Sequence, residues 1–278
     1  YHVYVYLTEV PPGYARIAFA ILFSPTGAPD APPIEDLFQI DAAVNDGSAG
    51  GPVLNRAGEV VGIAGVSGNG QKELLYALSG EDQRADAGSV QVAGQNAGRM
   101  GPAQRRALGL HFVPEERLGR GAVPTMGLAH NLLLTRTDSV SGSGWIKVGA
   151  LQKHAEDIIR RFNVKAGGPN AAAKSLSGGN LQNFIVGREI DANPKLLIVS
   201  QPTWGVDVGA AAQIRGSILA LRDAGCAVLV VSEELDELFE ISDRLLVIAA
   251  GRVSPSIPVA EATVEQIGRA SCRERVSS

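Results

Sequence analysis

Residues 174–190, KSLSGGNLQNFIVGREI, decide the reading of this chain. A polar linker meets a glycine turn, and the turn runs straight into the helical stretch LQNFIVGREI, with the helix starting near Leu181. That order puts Ser177 and the free N–H groups of Gly178, Gly179 and Asn180 at a helix N-terminus, which is a ready anion site. A serine before two glycines also has a plainer reading, an N-cap on a flexible linker. The rest of the chain separates the two readings.

Downstream, PKLLIVSQPTWGVDVGA (194–210) is a short apolar run ending in a polar loop, and VVSEELDEL (230–238) ends another. The runs at 195–201, 227–234 and 244–251 are β-rich and continuously apolar, as strands buried on both faces of a parallel sheet must be. Upstream, EVVGIAG (59–65) enters a glycine loop and QKELLYALSG leaves it as a helix. GLHFVPEER (109–117) opens with a further strand, and Leu151, Ala155, Ile158, Ile159 and Phe162 form the apolar stripe of a helix. Loops after successive parallel strands converge at the carboxyl edge of the sheet, where ligands bind.

The loop GVSGNGQKE (65–73) is the place for phosphate. The working pattern is G-x-x-x-x-G-K-[ST]: glycines let backbone N–H groups wrap the phosphates, the lysine reaches the β/γ oxygens and the hydroxyl holds magnesium. Gly65, Ser67, Gly68, Asn69 and Gly70 keep the form of such a loop, with Gln71 in the lysine slot and Lys72 in the hydroxyl slot. Read alone, its glycines would equally make a tight strand-to-helix turn.

Bulk properties exclude several classes. A net charge of −4 offers no electrostatic reason for a nucleic-acid partner. Two cysteines, Cys226 and Cys272, make no disulfide framework, and with four scattered histidines no zinc site is expected. The apolar stretch AFAILF at 18–23 is far short of the roughly 20 residues that span a bilayer.

Taken together, these stretches resemble the ABC transporter ATPases. LSGGN (176–180) is similar to their signature motif and QPTWGVDVGA (201–210) to their Walker B and D-loop segment. GVSGNGQKEL, VPEER, LSGGNLQ, PTWGVDVGA and SEELDELFEISDR resemble most the second cassette of tandem importer ATPases for nucleosides and simple sugars. The resemblance covers 58–268. It implies an α/β, P-loop NTPase-like nucleotide-binding domain with a helical insert at about 118–180. It also implies ATP and Mg²⁺ as cofactors, an intact N-terminal cassette and transmembrane permease subunits as partners, and a substrate-binding protein as an indirect one. The place would be the cytoplasmic face of the bacterial inner membrane. Glu115 falls at the Q-loop and Asp207 at the D-loop.

Four departures from that family carry physical meaning. Gln71 replaces the lysine, and a neutral amide lacks the charge-assisted bonds worth about 1.5–3 kcal/mol to a phosphate. Ser200 and Gln201 stand where aspartate and glutamate hold magnesium and activate water, and Glu233 stands where histidine senses the γ-phosphate. The expectation is a degenerate site in cis, with Lys72 as the alternative cation. Because each signature in this family completes the facing cassette's site, Ser177, Gly178, Gly179 and Asn180 are expected to act in trans, with magnesium mainly at the partner. The competing class is a docking or regulatory module that keeps the fold without catalysis.

Residues 1–57 read as a β-rich foreign segment. IEDLFQIDAAVNDGSAGGPVLNRAGEVVGIA (34–64) resembles the nucleophile region of HtrA/Deg-type trypsin-like proteases, with Ala49 in the serine's slot, so at most an inactive fragment is expected. The junction at 58–64 reads as a chimera, and RASCRERVSS (269–278) as a non-native tail without periodicity. Trp204 reads as a packing residue, Glu116 as a functional neighbour of Glu115, and His111 and His154 as core-edge and helix-surface residues.

Overall fold

The computed structural model describes residues 2–10, 14–22, 58–85, 90–92, 95–136, 141–142 and 145–272. In chain order the strands are β1 (His2–Val10), β2 (Tyr14–Leu22), β3 (Val60–Ala64), β4 (Gln91–Val92), β5 (Gln95–Asn96), β6 (Leu110–Val113), β7 (Ser141–Gly142) and β8 (Trp145–Ile146). They continue with β9 (Leu196–Ser200), β10 (Ala227–Ser232), β11 (Arg244–Ala249), β12 (Arg252–Val253) and β13 (Ile257–Pro258). The helices are α1 (Gln71–Ser79), α2 (Pro102–Ala107), α3 (Leu128–Leu133), α4 (Val148–Arg161), α5 (Gly178–Asp191), α6 (Val208–Asp223), α7 (Leu235–Ile241) and α8 (Val264–Cys272).

The frame is a parallel sheet in the order β11-β3-β10-β9-β6. Antiparallel β12 and β13 pair with β11. Every residue of β3, β9 and β10 is buried, because helices cover both faces. Successive side chains alternate between two cores. Val60, Leu197, Val199, Val228 and Val230 face one side with α5 and the helical lobe; Val61, Ile63, Ile198, Leu229 and Val231 face the other with α1. Each fully buried Leu, Ile or Val contributes about 1.5–3 kcal/mol of transfer free energy.

The helical lobe lies in the chain between β6 and β9. Its α4 begins at Val148, three residues before the apolar stripe suggested, and α5 begins at Gly178 rather than near Leu181. Ser177 caps α5 and draws the glycines into the first turn, overriding their low helix propensity. The lobe is tied down by charge: Asp191, at the end of α5, pairs with Arg136, His154 and Arg161. His154 is therefore engaged in an inter-helix pair and is no mere surface residue.

Two further observations bear on the sequence reading. The protease-like nucleophile stretch with Ala49 lies outside the described residues, whereas β1 and β2 pair as an antiparallel hairpin and β1 lies against β4 and α1. At the other end, α8 runs to Cys272, so the helix extends four residues into the stretch expected to lack periodicity.

Candidate functional site

The carboxyl edge of the sheet gathers the loops after β3, β6, β9 and β10. A cavity of about 30 Å³ there is lined by Gly65, Ser67, Gly68, Gln71, Lys72, Glu115, Ser200, Gln201, Ser232 and Glu233, among others. The cis residues named from the sequence thus converge, with Asn69 and Gly70 in the same loop. Such a volume holds one or two waters.

The loop between β3 and α1 is closed on itself. Gly68 and Gly70 have φ of 87° and 107°, the left-handed region that glycine enters without strain. The Gln71 side chain then bonds within the loop: Nε2 donates to the Val66 carbonyl at 2.7 Å, and Oε1 accepts from the Asn69 N–H at 3.0 Å. Asn69 fixes the loop to the turn after β11, accepting from Ala250 N–H through Oδ1 and from Gly251 N–H through its carbonyl. The Lys72 ammonium lies 3.9 Å from Glu116.

The β9 and β10 ends are also internally bonded. Gln201 is buried with φ of 49°, and its Oε1 accepts from the Glu233 N–H at 3.2 Å. Beneath it lies Glu237 of α7, a buried carboxylate accepting from Thr203 Oγ1 at 2.7 Å and Ser232 Oγ at 2.8 Å. Burial pushes its pKa up, against the lowering effect of the two hydroxyl donors. As placed, these groups do not fit a magnesium triphosphate. The lysine slot holds an amide already used by the loop, and Ser200 brings no carboxylate.

The signature lies apart, and none of its residues lines that cavity. Ser177 Oγ accepts from Asn180 Nδ2 at 2.8 Å, and Asn180 Oδ1 accepts from the Lys165 N–H at 2.6 Å. Asp207 caps α6 by accepting from the Ala210 N–H at 2.9 Å. A Cβ on Gly179 would stand 3.3 Å from Asp207 Oδ2 and 3.2 Å from Ala210 Cβ, so the signature and D-loop turns pack closely at this glycine. Ser177 and Gly178 are exposed. Trp204, read as packing, is 53% exposed beside this edge.

The segment 115–122 connects the two places. Glu116 accepts from Arg120 Nη1 at 2.7 Å, and Arg120 Nη2 reaches Glu81 at 2.6 Å while its guanidinium lies 4.6 Å from the Tyr76 ring centroid. Burial would raise the Glu116 pKa, but Arg120 and Lys72 turn the net shift downward. Arg117 goes the other way, its Nε donating to Gln182 of α5 at 3.1 Å. Behind them His111, read as core-edge, is buried with Nδ1 2.9 Å from Glu189. Arg117, Thr203 and Glu237 had no signal in sequence spacing, since each acts through a partner dozens of residues away.

Comparison with known proteins follows the same outline. The family model for ABC transporters matches residues 55–204. The nucleoside import ATP-binding protein NupA of Lactococcus lactis subsp. cremoris is 40% identical over 77% of this chain, and the guanosine import ATP-binding protein NupO of Bacillus subtilis 39% over the same share. The ribose import ATP-binding protein RbsA 1 of Rubrobacter xylanophilus is 38% identical over 76%. The chain spans about 42% of the length of each of the three. Among solved structures, the post-hydrolysis dimer of the ATP-binding cassette MJ0796 superposes with a TM-score of 0.63 at 18% identity, over 93% of this chain and 96% of that one. Sheet order, the loop after β3, the capped signature helix and a family match across more than half its length agree: the chain belongs to the ABC transporter family.

Proposed function

We propose that this chain is an ATP-binding cassette that energises import of nucleosides or simple sugars, with its own phosphate loop degenerate and its LSGGN signature acting in trans. The names of the relatives support the substrate class. The observation that carries the asymmetry is the Gln71 amide, both ends of which are bonded to the loop's own backbone, while Ser177 faces solvent away from that cavity.

The partners on this reading are an intact N-terminal cassette, transmembrane permease subunits and, through them, a substrate-binding protein. Its place is the cytoplasmic face of the bacterial inner membrane. Among the described residues no helix is long and apolar enough to cross a bilayer, so contact with the membrane runs through the permease. Residues 1–57 are proposed to be foreign to the cassette; an uninterrupted native read of the source DNA across codons 50–70 would overturn that.

Mg²⁺-ATP held by the partner cassette supplies the phosphoanhydride. This chain's residues orient and stabilise: the Ser177 hydroxyl and the N–H groups of Gly178 and Gly179 present donors and the positive end of α5. Asp207 fixes the adjacent turn. Backbone donors and a helix dipole need no lysine, so this half keeps its use while the loop around Gln71 does not.

The test is steady-state ATPase of an intact importer cassette titrated with this chain. Ser177→Arg should abolish the stimulation by bulk and Gly179→Asp by charge, while Gln71→Ala should cost much less. If Gln71→Ala were the most damaging, the asymmetric reading would be wrong. Binding without stimulation would make the chain a docking module.

A further inference from the structure

The described arginines on either side of β6 and in the helical lobe that border this region pair with carboxylates, except Arg117. Arg106, Arg120, Arg136, Arg160, Arg161 and Arg188 each meet a carboxylate. Arg117 meets none among the described residues, and its pKa is lowered by burial alone. Among the described residues one of its five N–H donors is used, by Gln182 Oε1 at 3.1 Å.

Its position makes this costly. Arg117 Nη1 lies 2.8 Å from where a Cβ on Gly178 would be, and both terminal nitrogens lie 3.9 Å from the corresponding point on Gly205. The guanidinium therefore sits between the signature and the turn leading to Asp207, against the positive end of the 14-residue helix α5. A cation there is repelled by the helix dipole, where an anion would be attracted. A second donor nearby lacks an acceptor: Gln182, only 1% exposed, has its Nε2 buried without a hydrogen-bond partner. The unpaired charge asks for an anion, and the buried orphan donor beside it shows that this corner carries more donors than acceptors.

We propose that Arg117 is a catalytic residue acting in trans: with Ser177 and the Gly178 and Gly179 N–H groups, its guanidinium contacts the terminal phosphate of the partner cassette's nucleotide. This rests on the trans reading above. The planar fork suits a phosphate oxygen pair, and the charge counts most as the phosphoryl group separates. Gln182 orients the fork through Nε, leaving the two Nη groups for the anion.

Two measurements on the full chain test it. In the stimulated ATPase assay, Arg117→Gln should lower kcat by about 10- to 100-fold with KM for ATP within about twofold, because the partner's own loop holds the nucleotide. Arg117→Lys should recover part of kcat, as it restores charge without the fork, and Arg160→Gln, a distant exposed control, should change nothing. Second, pyrophosphate added to the chain alone should shift the backbone N–H resonances of Gly178 and Gly179, and Arg117→Gln should remove those shifts while thermal melting shows the variant folded. If Ser177→Arg abolishes stimulation but Arg117→Gln leaves kcat within twofold, the assignment of Arg117 fails and the trans reading stands. If neither matters, the trans reading fails. Pyrophosphate shifts that survive Arg117→Gln would also overturn the assignment.

Discussion

Replacing Glu189 by alanine should be among the most destabilising single changes in this fold. The carboxylate is fully buried and serves three partners: Arg106 Nη1 at 2.5 Å, His111 Nδ1 at 2.9 Å and Arg188 Nε at 2.9 Å. Burial alone would push its pKa up; Arg188, His111 and Arg106 outweigh it and bring the value from 4.5 to about 2. Such a depression corresponds to about 3 kcal/mol of stability. Because the folded pKa is the lower one, that stability is fully present above about pH 4.5 and is lost as pH falls toward 2. The alanine variant also leaves Arg188 buried with only the Gly121 and Asn131 carbonyls, so the expected loss is about 3–5 kcal/mol. At roughly 2–4 °C per kcal/mol for a domain of this size, the melting temperature should fall by about 6–20 °C. Thermal denaturation of the full chain at pH 7 measures it, and Glu189→Gln should fall between. Adding Arg188→Met to Glu189→Ala should recover part of the loss, since no unpaired charge then remains buried. A loss below about 1 kcal/mol, or strict additivity in the double variant, would refute the argument.

Two further outcomes follow from packing. A Cβ on Gly187 would stand 2.5 Å from Cδ2 and Cγ of Phe162, so Gly187→Ala should destabilise by about 1–3 kcal/mol despite its better helix propensity; thermal melting that showed a gain would contradict the contact. Cys226 is 4% exposed and burial pushes its thiol up to about 12, so in a Cys272→Ser background a thiol reagent at pH 8 should modify it only on unfolding.

Much of the sheet was legible because strands buried on both faces announce themselves as unbroken apolar runs. Val60–Ala64, Leu196–Ser200, Ala227–Ser232 and Arg244–Ala249 fall within the stretches read for them. The signature's place at a helix start was legible from Ser177 and its glycines, although the helix begins three residues before Leu181. What escaped the sequence is side-chain partnership. Gln71 could be read as a missing lysine, but its two hydrogen bonds to the loop need the positions of Val66 and Asn69. Glu237 looked like one more acid in SEELDELFE until the fold brought Thr203 and Ser232 onto it. Trp204 looked like core because tryptophan usually is, and its loop leaves it outside.

The segment 115–122 has a mechanical consequence. It is held by Glu116 and Arg120 to Lys72, Tyr76 and Glu81, on and just after α1, and by Arg117 to Gln182 on α5. Those two helices flank different lobes, so the short arc works as a yoke with an arm in each. Its contacts are hydrogen bonds and ion pairs, whose strength falls steeply with distance and angle. A sideways displacement of the arc by an ångström would therefore strain both arms, the one at the phosphate-loop helix and the one at the signature helix.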